Sequence, residues 1–265
     1  MFSRMRRAAV SAHLAMMSLA CLAQSSPLND TGIAWSGHGT SGHASTCDAA
    51  DPAGQDCLHG RDKAAVDGVL AKQGGSALNN GQANGFDFTK ISNAGDPLPA
   101  SAALGPGPGD WACTRDNVTG LVWEVKVDDA SHLRHQGHTY TWFDTHSTDG
   151  NPGTAATDGG HAAACKTAAR CDTEKYVEDV NQATLCGAHD WRLPTIKELG
   201  GIVDFGRVEP SIDPDYFPHT PADSSYWSGS LLANNTGQSW MAYFGDGYFH
   251  AAIRIGEARV RLVRR

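Results

Sequence analysis

"HDWRLPTIKEL", residues 189–199, places Trp, Arg, Leu and Pro in succession and then opens a helix. Thr195 followed three positions later by Glu198 is the pattern of a capping box. The threonine hydroxyl accepts from a backbone N–H near Glu198, and the glutamate reaches back to the cap. Pro194 restricts the chain just before the cap, and Leu199 is spaced for a staple-like contact with it. The stretch reads as a rigid entry into a short helix over 196–203.

Working outward, Thr173 can cap a helix that carries Tyr176, Val177, Val180 and Leu185 at helical spacing, with Gly187 to end it. Further upstream, "TGLVWEVKV" (119–127) alternates Leu121, Trp123, Val125 and Val127 against Val122, Glu124 and Lys126, the pattern of a half-buried strand. "TYTWF" (139–143) is a second short strand or the run into a helix, and 144–165 is a long polar loop. Downstream, "SYWSGS" (225–230) and "SWMAYFGDGYFHAAIRI" (239–255) read as sheet, with Asp246 and Gly247 marking a hairpin turn. "ARVRLVRR" (258–265) closes the chain as a strand, with Val260 and Leu262 on one face and Arg259 and Arg261 on the other. Two short helices beside an antiparallel sheet make an α+β domain.

At 265 residues the chain can bury a sizeable core, and 30 glycines point to many turns rather than long helices. Residues 1–23 carry Arg4, Arg6 and Arg7, then an apolar run broken by His13, then small residues, the build of a secretory leader. Cys21 lacks the aliphatic residue expected three places before a lipoprotein cysteine. Export to the periplasm, the cell surface or the medium follows as an expectation, and no later stretch is long and apolar enough to span a bilayer. Without Cys21, six of the seven cysteines remain for an oxidising compartment. Six allow fifteen pairings. Cys171 and Cys186 flank the expected helix and would lie about 22 Å apart along it, out of disulfide reach. The most economical set is Cys47–Cys57, Cys165–Cys171 and Cys113–Cys186; no Cys-x-x-Cys pair supports zinc.

The net charge of −8 becomes more negative once the leader's arginines are removed, which disfavours nucleic acid as a partner. Residues 24–108 read as an irregular arm: "SGHGTSGHAS" and "GPGPGD" are turn and linker material. Between them lie a short helical candidate over 62–72 and the strand-like "GFDFTKI" (85–91).

Several motifs occur together: "DNVTGLVWE", "TYTWFD", "CGAHDWRLPTIKEL", "IVDFGRVEPSID", "YFP", "YWSGS", "YFGDGY" and the terminal "VRLVR". In this order they resemble the bacterial family that includes the C-terminal domain of the Legionella collagen-like adhesin. The resemblance covers 109–265 and extends to "GQDCLHGRD" and "GFDFTKI" in the arm. It implies a C-type-lectin-like fold in which the first and last strands of the domain pair. A run similar to "RLPT-x-x-E" opens a core helix in the distantly related formylglycine-generating enzymes. By that likeness Trp191 and Leu193 pack inward, Arg192 makes a buried or half-buried polar contact, and the motif is mainly architectural.

Formylglycine chemistry needs reactive cysteines late in the domain, and the last cysteine here is Cys186, so an enzyme of that kind is not expected. His132, His135 and His138 sit in a polar loop, where solvated histidines are the common case. "DTHSTDGN" (144–151) offers oxygen ligands, but its glycine sits one place late for an EF-hand loop and no glutamate follows at the required spacing. No nucleophile motif, cofactor motif or metal-ligand set is read. Lectin-like folds commonly bind through loops in the second half of the domain. The residues offered for this are Asn234, Asn235, Asp246, Tyr248, His250 and Arg254, with hydrogen-bonding groups and an aromatic face. The expectation is an exported, non-catalytic, adhesin-like binding module for a glycan or a surface protein. The rival is a structural or accessory part of a cell-envelope assembly. Sulfated polysaccharide would require a positive surface, for which Arg254, Arg259, Arg261, Arg264 and Arg265 are the only cluster.

Overall fold

The computed structural model describes residues 29–33, 35–38, 42–44, 56–75, 84–157 and 164–265. The expected leader at 1–23 and Cys47 of the expected Cys47–Cys57 bond lie outside them. Among the described residues, no helix is long and apolar enough to cross a membrane.

The arm contributes a small hairpin, β1 (Ser36–His38) with β2 (Gly42–Ala44), and two helical turns, α1 (Asp56–His59) and α2 (Arg61–Val66). Strands β3 (Phe88–Ser92), β4 (Pro97–Leu98), β5 (Trp111–Asp116) and β6 (Val122–Glu124) follow, then β7 (Tyr140–Thr141). Helices α3 (Thr173–Gln182) and α4 (Ile196–Gly200) precede β8 (Ser225–Leu231), β9 (Gln238–Tyr243), β10 (Phe249–Ile253), β11 (Glu257–Ala258) and β12 (Val263–Arg264). Every ladder between named strands is antiparallel, and the domain is α+β. The main sheet has the order β12-β6-β5-β3-β4, and β10-β9-β8 form a second sheet. The strand read within the arm is thus built into the domain's own sheet. The last strand pairs with β6, bringing Val263 opposite Trp123, rather than with the domain's first strand β5, which lies on the far side of β6.

One hydrophobic cluster gathers Tyr140, Trp142, Tyr176, Trp191, Trp227 and Leu262, and the other Phe86, Phe88, Trp123, Leu199, Phe217, Tyr226 and Phe244. This corrects the half-buried reading of "TGLVWEVKV". Val122 belongs to one cluster and Trp123 to the other, so the strand is covered on both faces. Glu124 and Lys126 are 0% and 2% exposed as side chains and pair at 2.7 Å. Tyr176 donates to Glu124 Oε1, Lys126 Nζ donates to the Tyr176 hydroxyl (2.9 Å), and the Leu262 amide donates to Glu124 Oε2 (2.9 Å). A buried carboxylate and ammonium persist because each finds such partners.

The opening motif works as a three-way junction. Arg192 exchanges backbone hydrogen bonds with Val263, both at 3.0 Å, and so ties the helix entry to the last strand. Trp191 is buried in the first cluster with its indole N–H on the Leu185 carbonyl (3.0 Å), whereas Leu193 is only half-buried at its edge. The capping box is complete: Thr195 Oγ1 accepts from the Glu198 amide (3.2 Å) and Glu198 Oε2 from the Thr195 amide (2.7 Å). Arg192 is more exposed than the buried or half-buried contact expected of it; its side chain is 45% exposed and forks onto both oxygens of Glu198. The helix stops at Gly200, earlier than the expected 203.

The cap of α3 is Asp172, not Thr173. Asp172 Oδ1 accepts from the Lys175 amide (2.8 Å), while the buried Thr173 hydroxyl is engaged with the backbone of Phe143. After Gln182 the chain leaves the helix, and Thr184, Cys186 and Gly187 all take left-handed backbone angles. That turn presents Cys186 to Cys113 with their Cα atoms 6.5 Å apart. Cys165 and Cys171 are bonded as well, with Cα atoms 5.4 Å apart. The chain's end is not one continuous strand. Arg261 is fully buried, donating to the Glu124 carbonyl (3.0 Å) and to Thr220 Oγ1 (2.6 Å).

Candidate functional site

A groove of about 870 Å³ opens between α3, the loop at 143–146 and the segment at 192–195. Local chemistry holds each wall. Phe143 is fastened to the first turn of α3: its amide donates to Thr173 Oγ1 (2.9 Å), whose hydroxyl donates to the Phe143 carbonyl (2.7 Å). Thr145 follows, with both its amide and its hydroxyl on Glu174 Oε2 at 2.7 Å. On the opposite side, Asn181 clamps α3 to the opening motif. Its Nδ2 donates to the Trp191 carbonyl (2.9 Å) and its Oδ1 accepts from the Trp191 amide (2.8 Å). Gly229 of β8 donates to the Pro194 carbonyl (2.8 Å) and closes the floor.

The lining is mixed. Phe143, Val177 and Leu193 give apolar surface; Asp144, His146, Glu174, Glu178 and Arg192 give charge and hydrogen-bonding capacity. Glu178 is held below the usual carboxylate range by Lys175 (2.7 Å) and then Arg170 (3.2 Å). Burial opposes the charge on Glu198, but the Arg192 fork and the Thr195 amide hold its carboxyl low nonetheless. Asp144, His146 and Glu174 bring one ligand-type atom each within 4.8 Å of the others.

The residues offered from the sequence for binding do not form one face. Asn234 and Asn235 lie in the exposed turn between β8 and β9, where Asn235 Oδ1 accepts from the Gly237 amide (2.9 Å). Asp246 and Tyr248 lie at the other end of β9, about 17 Å away by strand rise. There Tyr248 is 49% exposed, with its ring 5.1 Å from that of Tyr243 and 5.0 Å from that of His250. Asp246 accepts from the Tyr248 amide (3.3 Å), and His250 is half-buried. The structure gives Arg254 an internal task. It is 2% exposed, donates to Ser239 Oγ (2.9 Å), the Asn151 carbonyl and Asp149, and stands 4.1 Å over the Trp142 ring. With Arg254 and Arg261 buried, the terminal arginines do not make the positive surface patch their sequence positions suggest.

The loop histidines serve their own turn: His138 Nε2 meets the His132 carbonyl at 3.1 Å, and His132 Nδ1 accepts from the Arg134 amide at 3.0 Å. Burial lowers the pKa of both His132 and His138. The groove residues escaped the sequence reading because they come from three separated segments.

Fold and groove together define a disulfide-tied α+β domain with a concave, mixed-polarity surface beside its longest helix. The chain belongs to the Lcl C-terminal domain family, whose model matches residues 112–264. No curated protein matches the chain.

Proposed function

We propose that this domain is an exported, non-catalytic binding module that takes a glycan of a cell or matrix surface into the groove beside α3. The observation that supports this reading is the lining itself. Its volume falls within the range of sites for small ligands, and apolar Phe143, Val177 and Leu193 face a few polar groups. A sugar ring offers both an apolar C–H face and a rim of hydroxyls, which suits such a wall. The adhesin-like role and the lectin-like fold belong to the same proposal. The exposed Tyr248 beside the half-buried His250 is a second surface of suitable chemistry at the hairpin tip.

The test is binding of the oxidised protein to an array of glycans and surface polymers, with two variants. Val177→Arg fills the groove, and Tyr248→Ala strips the hairpin tip. Loss of saturable binding in Val177→Arg alone supports the groove. Loss in Tyr248→Ala alone moves the site to the hairpin. Silence of the unmodified protein across the array overturns the reading in favour of a structural part of an envelope assembly.

A further inference from the structure

We infer that Asp144, His146 and Glu174 form a site for a divalent transition-metal ion of the zinc class, at the rim of the groove. The three ligand-type atoms lie within 4.8 Å of one another, from two places far apart in the sequence. Atoms bound to one tetrahedral zinc stand about 3.4 Å apart, given metal–ligand distances near 2.1 Å. Closing the site therefore takes a shift of about 1 Å. His146 can supply part of it by turning, because its side chain is 93% exposed and, among the described residues, is hydrogen-bonded only to the Thr145 hydroxyl at 3.3 Å.

The charges around the groove point the same way. Glu178 is neutralised by Lys175 and Arg170, and Glu198 by Arg192. Among the described residues, Asp144 has only the His146 imidazole as an ion-pair partner, at 3.8 Å, and Glu174 has no ion pair. Two carboxylates thus converge beside an imidazole with no lysine or arginine in ion-pair contact, Lys175 acting on Glu174 only at longer range, an arrangement that a cation relieves. The hydrogen bonds leave ligand atoms available. Thr145 occupies only Oε2 of Glu174, and the His146 amide occupies only Oδ1 of Asp144.

One imidazole with two carboxylates suits zinc better than calcium, which takes six to eight oxygens. Three protein ligands leave a fourth position open, and all three residues line the groove. Metal binding stands on these residues whether or not the groove takes a glycan.

The test is calorimetric titration of the oxidised protein with zinc alone, and separately with calcium alone, in the absence of any glycan. One zinc per chain is expected, weakened at least about tenfold by His146→Ala and by Glu174→Gln. His132→Ala, in the other histidine loop, leaves it unchanged. His146→Ala is the deciding variant because so exposed a side chain is not needed for folding. No saturable zinc binding, calcium binding in its place, or zinc binding that survives His146→Ala overturns the inference. Glycan binding that persists in His146→Ala without zinc separates failure here from failure of the groove reading.

Discussion

Arg254 and Asp149 show how one ion pair organises a loop. The guanidinium holds the Asp149 carboxyl down to about 2, through a hydrogen bond first, against an ordinary value of 3.8. Because the folded carboxyl ionises more readily than the unfolded one, its contribution is present above about pH 4 and is lost as the pH falls towards 2. Melting curves between pH 5 and 2 are expected to fall more steeply for the wild type than for Asp149→Asn. Arg254→Ala, by leaving the carboxylate without its buried partner, is expected to cost about 3 kcal/mol in denaturant unfolding. Lys126 behaves in the opposite sense. Burial pushes its ammonium down to about 8, so between pH 8 and 10.5 the unfolded lysine holds a proton that the folded one has shed. Stability from this group therefore rises with pH across that window. The wild type should gain on Lys126→Met as the pH is raised from 8 to 10 in thermal unfolding.

At the scale of the element, α4 is only five residues long and depends on its cap. Thr195→Ala should cost about 1 kcal/mol by urea unfolding, the usual worth of an N-cap side chain. Glu198→Ala should cost more, because Glu198 both completes the capping box and receives the Arg192 fork. An equal or smaller loss would remove the fork from the account. The cap was legible because its two halves lie three residues apart. Asp172 was not preferred over Thr173, since either can cap a helix in isolation; the choice falls to Asp172 because Phe143, thirty residues away, engages the Thr173 hydroxyl.

Across the whole molecule, the bonds Cys113–Cys186 and Cys165–Cys171 close loops of very different length, with separations of 73 and 6 residues. In the loop-entropy account, opening the first costs about 4 kcal/mol and opening the second about 2 kcal/mol. Paired Cys→Ser variants compared by thermal unfolding should show the larger loss for Cys113 and Cys186. The sequence by itself determined what depends on near neighbours: the capping box, the hairpin turn at Asp246 and Gly247, and the short Cys165–Cys171 loop. Its ordered motifs also identified the family. Tertiary structure alone decided what depends on distant segments meeting. Glu124, Lys126, Arg254 and Arg261 look like surface charges along the chain, yet each is buried because a second layer covers it. The groove, too, exists only where the loop at 143–146, the helix at 173–182 and the junction at 192–195 meet. Periodicity reports which residues share a face; only packing decides whether that face meets water.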